Sequence, residues 1–339
     1  MSAIQIAAND FGFGNDAIYW LASMKYWGLR AEGQQSLSYS RLRRHFMNEE
    51  AKAKEQQAYV EKKRAWADQW YSLTSKLLEI GTVVPENSLR EQLAALHLSA
   101  TKKAALCIEL STFTAYHELT QDGKEWEGLS FDDEDRKRFL GFCAEIVDES
   151  PYTLWMAWQE FNRCIEKIVK ANSGPDLTWM WVGLGAAVLL VVAPYLAGAI
   201  GGFMGLGGAA ATSAGLALLG GGSLAAGGFG MTGGYVVLMA GGAILGYGSG
   251  SAQYQQKLRE GSKEELLFNC GKLYSAFKVF NLYGDDKLNI CSQALRIQAD
   301  LEAEADLAFT QGSTDQGKQL DGKAMVMRSF RRLLRGDLQ

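Results

Sequence analysis

The residues that could do chemistry are few and scattered. Four acids stand in a row, Asp132, Asp133, Glu134 and Asp135, and could hold a hard cation. They lack the alternating ligand spacing and turn glycine of a calcium loop, so their simpler reading is negative charge at a helix start. His117-Glu118 is not completed by a second histidine four positions on, which excludes the zinc-protease pattern. His45 and His97 stand in other contexts. Asp10-Phe-Gly12 is the triplet of a kinase metal loop, but no catalytic-loop or lysine motif accompanies it. Carboxylates at helix spacing, such as Glu145 and Asp148, are common on solvated faces. No phosphate-binding loop, nucleophile elbow or dinucleotide fingerprint is present. A dispersed active site would show only in geometry, and we expect a protein that is not an enzyme, with no cofactor and no metal site.

Cys107, Cys143, Cys164, Cys270 and Cys291 occur singly, without C-x-x-C spacing and mostly among apolar neighbours. Reduced, structural thiols are the expectation. The first fifteen residues lack the basic and apolar regions of a secretory signal, so the flanks are expected in the cytosol.

The elements that would position such residues read as helices throughout. No segment sustains the period-two alternation that a sheet needs. Residues 15–30 carry Ile18, Tyr19, Leu21, Met24, Trp27 and Leu29, an aromatic stripe that reads as core. Over 38–80 the apolar residues Tyr59, Trp66, Trp70, Leu73, Leu77 and Ile80 follow a heptad-like, coiled-coil seam, with Lys62, Lys63 and Arg64 as a solvated face. Ser88-Leu-Arg-Glu91 has the capping-box pattern and predicts a second long helix running to Leu119. Ser150-Pro151 predicts a further start, and Trp155, Trp158, Phe161, Ile165 and Ile168 give that helix its stripe until 172–176 break it. Ser262-Lys-Glu-Glu265 predicts another capped start. A helix then follows over 287–309, a polar loop over 310–322, and a last basic segment over 323–335.

Between these flanks lies the feature that dominates the sequence. Residues 177–256, eighty in all, contain no Asp, Glu, Lys or Arg, although 21% of the whole chain is charged. A buried helix of a water-soluble protein ordinarily keeps one wet face, so a gap of this length points to a bilayer. Residues 177–200 are long enough at 1.5 Å per residue to cross about 30 Å of hydrocarbon. Trp179 and Trp181 stand at the entry of this first arm, and Pro194 would kink it. The second arm, 229–247, is shorter and richer in glycine, and 201–228 is a thin connection of Gly, Ala, Ser and Leu. Small residues four apart, including Gly198 and Gly202, Gly205 with Gly201, Gly230 and Gly234, and Gly242, Gly246 and Gly250, have the spacing that lets helix backbones touch in lipid. Glycine costs about 1 kcal/mol against alanine inside a helix, so close packing must compensate.

In composition this stretch resembles the glycine-rich membrane hairpins of the apolipoprotein L group and of small interferon-inducible membrane proteins. Its place within a helical protein is similar in principle to the hairpin of pore-forming colicins. The resemblance covers 177–256 and implies membrane insertion.

The expected organisation is therefore all-α: a helical bundle over 1–176, a glycine-rich transmembrane or membrane-insertable hairpin over 177–256, and C-terminal helices over 257–339 that pack on the first bundle. Lys167 and Lys170 before the stretch, and Lys257, Arg259 and Lys263 after it, put both ends on the cytoplasmic side and require an even number of crossings. The basic end, with Lys323, Arg328, Arg331, Arg332 and Arg335, could rest on anionic lipid. Residues 1–176 hold 21 basic against 26 acidic side chains and 257–339 hold 13 against 12, which argues against a nucleic-acid partner. The expected activity is membrane insertion with homo-oligomerisation that perturbs or permeates a bilayer, of pore-forming or effector type. The alternative is a membrane-anchored helical scaffold whose cytosolic helices bind a protein partner.

Overall fold

A computed structural model describes residues 15–35, 49–78, 80–116, 119, 124–172, 263–280 and 287–336. Among these residues regular structure is helical and no strand occurs. We number the helices α1 (Asn15–Gln35), α2 (Glu49–Leu78), α3 (Leu89–Ala95), α4 (Ala100–Ser111), α5 (Asp133–Val147), α6 (Pro151–Asn172), α7 (Lys263–Val279), α8 (Lys287–Thr310) and α9 (Thr314–Arg335). Among the described residues no helix is long and apolar enough to cross a membrane. The expected membrane hairpin over 177–256 lies outside them.

Among the described residues, two apolar cores organise the packing. The first joins α1 to α5 around Trp20, Trp66, Trp70, Phe113 and Phe139. The aromatic stripe of α1 is core: Leu21, Met24 and Leu29 are buried, and Trp20, outside the expected stripe, is fully so. Burial obliges the indoles to find acceptors. Trp20 Nε1 donates to the Leu89 carbonyl at 2.8 Å and Trp27 Nε1 to that of Val84 at 2.7 Å. The Val84 amide donates to Ser23 Oγ at 3.0 Å, so the segment between α2 and α3 is fastened along α1.

The second core joins α6, α7, α8 and α9 around Phe161, Ile165, Ile168, Leu266, Tyr274, Val326 and Phe330, with Ile108 of α4. Leu273, Phe280 and Ile297 pack against both cores. Helices α6 and α7 run antiparallel, because their pairings proceed in opposite sequence order. Ser275 Oγ donates to the Ala157 carbonyl at 2.8 Å, and Cys164 Sγ lies 3.6 Å from that of Cys270. A Cβ on Gly271 would stand 2.7 Å from the Phe161 ring, which is how closely the two backbones approach.

Three sequence expectations are corrected here. The helix predicted from 88 to 119 is two helices. His97 sits at φ 46, a left-handed conformation that cannot continue α3, and the Ser99 hydroxyl then caps α4 by accepting from the Lys102 amide at 3.3 Å. Ser88 makes no side-chain cap bond, and α4 stops at Ser111. The polar loop predicted over 310–322 is mostly the start of α9, which begins at Thr314. Its glycines are contact points: a Cβ on Gly317 would stand 2.7 Å from the Phe309 ring, and Gly322 faces Lys263. The turn itself needs only Gly312, at φ 81. Third, Lys63 does not lie on a solvated face of α2; it is 1% exposed.

Candidate functional site

Lys63 is at the centre of a buried charged cluster. On α2 it falls four residues after Tyr59 and three before Trp66, inside the apolar seam. Its Nζ donates to Glu32 Oε1 of α1 at 2.8 Å and lies 3.1 Å from Asp135 Oδ2 of α5, and all three side chains are at 0% exposure. Tyr116 OH donates to the other Glu32 oxygen, and Arg138 pairs with Asp135 on one side and stands 3.7 Å from Glu32. The Lys63 ammonium also lies 4.6 Å from the Tyr116 ring centroid and 5.3 Å from that of Tyr59. Two anions therefore meet two cations, and the first turn of α5 is fixed by the same residues: Asp132 caps it and Asp135 closes the capping box. The acidic run thus caps a helix, as its position suggests, while Asp135 is also drawn into the core.

Burial sets the electrostatics. It pushes the Glu32 carboxyl up to about 7, with Lys63 opposing the rise and Asp135 adding to it. Burial also raises the Tyr116 phenol, which keeps it a proton donor to Glu32. A proton can thus reside on Glu32 near neutrality. Arg138, 20% exposed, borders solvent while the other three charges are enclosed, and the mechanical effect of the cluster is to lock α1, α2 and α5 together.

A second buried cluster crosses between the cores. Lys272 of α7 pairs with Glu109 of α4, at 1% and 2% side-chain exposure. Lys25 of α1 lies 4.8 Å from the Phe113 ring centroid, and its burial lowers its pKa to about 8, with Glu109 opposing and Lys272 reinforcing the shift. Arg136 of α5 is buried as well. Its Nη1 donates to the carbonyls of Ser111 at 3.0 Å and Phe113 at 2.6 Å, where α4 ends, and its guanidinium lies 3.6 Å from the Trp158 ring centroid on α6. Burial brings its pKa down to about 9. These side chains tie the first core to the second.

The thiols are free. Cys107, Cys143, Cys164 and Cys270 are buried, Cys291 is half-buried, and burial pushes the Cys107 thiol up to about 12 and the other three buried thiols upward too. Among the described residues no group of three or more His, Cys, Asp or Glu could hold a metal ion.

The residues expected to insert and pack in a membrane, Trp179, Trp181, Pro194, Gly198, Gly202, Gly205, Gly230, Gly234, Gly242, Gly246 and Gly250, lie outside the described residues. The basic end does not form one surface. Lys323 is 4% exposed and packed within the bundle. Arg328 is exposed and pairs with Glu302 of α8, and Arg331 donates to Gln298 at 2.9 Å. Arg332 and Arg335 are exposed.

The last described residue before the charge-free stretch and the first after it both approach α9. Asn172, at the end of α6, accepts through Oδ1 from Ser329 Oγ of α9 at 3.0 Å. Lys263, at the start of α7, lies against Gly322 of α9. The two α9 positions are seven residues apart, about 10 Å along a helix axis. Asn172 and Lys263, which flank the segment that contains the stretch, thus both lie beside one helix. Comparison with protein-family models, curated proteins and solved structures finds no match to this chain.

Proposed function

We propose that this is a membrane-inserting helical protein that places its charge-free stretch in a bilayer and assembles there to perturb or permeate it. The observation that carries the reading is the eighty-residue stretch without Asp, Glu, Lys or Arg, over 177–256, attached between two antiparallel helices. The approach of Asn172 and Lys263 to the same helix, α9, suits an excursion that leaves and returns on one side of the membrane, with the flanking helices cytoplasmic. Glycine at four-residue spacing suits association of helices in lipid, within one chain or between copies. The packed flanks supply a rigid platform, locked internally by the Glu32, Lys63, Asp135 and Arg138 cluster.

The test is release of a trapped dye from anionic liposomes by the purified full chain. Release that rises steeply with protein concentration is the expected result. Binding without release favours the second reading, a membrane-anchored scaffold.

A further inference from the structure

We infer that the outer face of α8 is an interface between two copies of this chain, the helix lying antiparallel against its own copy across a two-fold axis level with Leu301. This does not rest on the membrane reading. Every residue it uses is described, and the surface is present whether or not 177–256 enters a bilayer.

Helix α8 has two faces. Ala294, Leu301, Ala305 and Ala308 are buried in the second core, which α9 shares. The opposite side carries Leu295, Ala299, Ala303 and Leu307, all exposed, the leucines at 47% and 56%. These four stand four residues apart and form one of the oblique ridges by which helices pack, the kind that crosses a like ridge at about −50°. Its alanines lie in the middle, where they let two helix axes approach to about 8 Å, and its leucines lie at the ends. Phe309, also exposed, is set apart from this ridge with its ring on Gly317.

Charge selects the occupant. Arg296 and Asp306 flank the ridge and are exposed, and among the described residues neither takes part in an ion pair. In an antiparallel pair, positions equally far from Leu301 on either side come face to face. Leu295 then meets Leu307 of the second copy, Ala299 meets Ala303, and Arg296 meets Asp306, each contact made twice by symmetry. The face thus complements itself in size and in sign. A parallel pair would set Arg296 on Arg296 and Asp306 on Asp306, which like-charge repulsion disfavours. Asp300 would meet Glu302 of the second copy, a like-signed pairing that Arg328 offsets, since it already holds Glu302 at 2.5 Å with its own side chain 55% exposed.

The experiment is sedimentation equilibrium of the full chain in a density-matched mild detergent over about 1–100 μM, a range suited to the weak association of one helix crossing. Circular dichroism of the same samples checks that helix content is unchanged. We expect the unaltered chain to associate reversibly, with a dimer as the first step. Arg296→Glu and Asp306→Arg should each weaken the dimer about tenfold, because each replaces two attractive pairs by two repulsive ones. The combined variant Arg296→Glu/Asp306→Arg restores both pairs with their signs exchanged and should return to within about threefold of the unaltered chain. That recovery is the decisive readout, since neither misfolding nor general stickiness produces it. A chain that is monomeric throughout, single reversals that leave the mass distribution unchanged, or a combined variant as weak as the single ones overturns the interface. Dye release by the dissociated single variants reads the membrane proposal separately.

Discussion

Replacing Lys63 with methionine removes the cation between Glu32 and Asp135 while keeping an unbranched side chain of similar length in the seam of α2. The two carboxylates are then left with Arg138, which stands 3.7 Å from Glu32. Removing one partner of a buried ion pair costs about 3–5 kcal/mol, against a total of about 5–15 kcal/mol for a domain. The pH dependence distinguishes this from loss of packing. In the folded chain the Glu32 carboxyl titrates at about 7, above its ordinary 4.5, so the native state binds more protons than the unfolded state between those values. Its contribution is therefore fully present below 4.5 and is lost as pH rises through 7. Without Lys63 the carboxyl rises further, so the deficit of Lys63→Met should be larger at pH 8 than at pH 5. Equilibrium unfolding in urea, followed by the fluorescence of the buried Trp66 and Trp70, reads both quantities. A variant within 1 kcal/mol of the parent at pH 8, with no difference between the two pH values, would refute the buried cluster and return Lys63 to the solvated face that the Lys62-Lys63-Arg64 run suggests.

Gly271→Ala forces a Cβ to 2.7 Å from the Phe161 ring, and the repacking should cost about 1–3 kcal/mol in urea unfolding. Arg136→Met leaves the Ser111 and Phe113 carbonyls without their donor, and we expect a loss of about 1–3 kcal/mol, measured in the same way. Thiol titration of the native chain at pH 8 should modify Cys291 first, with Cys107, Cys143, Cys164 and Cys270 reacting only when denaturant is added.

Much of the architecture was legible because local signals and tertiary burial agree. Ser150-Pro151 marks the start of α6, where the Tyr152 amide donates to Ser150 Oγ at 3.2 Å, and the stripe of α1 enters the first core. The break between α3 and α4 is hidden in the sequence because a non-glycine residue, His97, takes the left-handed conformation there, and because the capping-box pattern stands at Ser88 whereas the cap bond is made by Ser99. The start of α9 was hidden by Gly312, Gly317 and Gly322, which read as loop glycines although two of them serve close packing. The buried cluster did leave a signal. Tyr59, Lys63, Trp66 and Trp70 follow one another at spacings of four, three and four, so Lys63 occupies a seam position and Glu32 follows Leu29 on the buried side of α1. Charge alone directs Lys63 to the surface; its register on the helix directs it inward, and only the meeting of α1, α2 and α5 supplies the partners that make burial tolerable.

The most direct test of membrane insertion is extraction of membranes carrying the full chain with alkaline carbonate, which strips peripheral proteins and retains those that enter the hydrocarbon. Insertion of residues 177–256 predicts that the chain stays in the pellet until detergent is added. Quantitative recovery in the carbonate supernatant would contradict it.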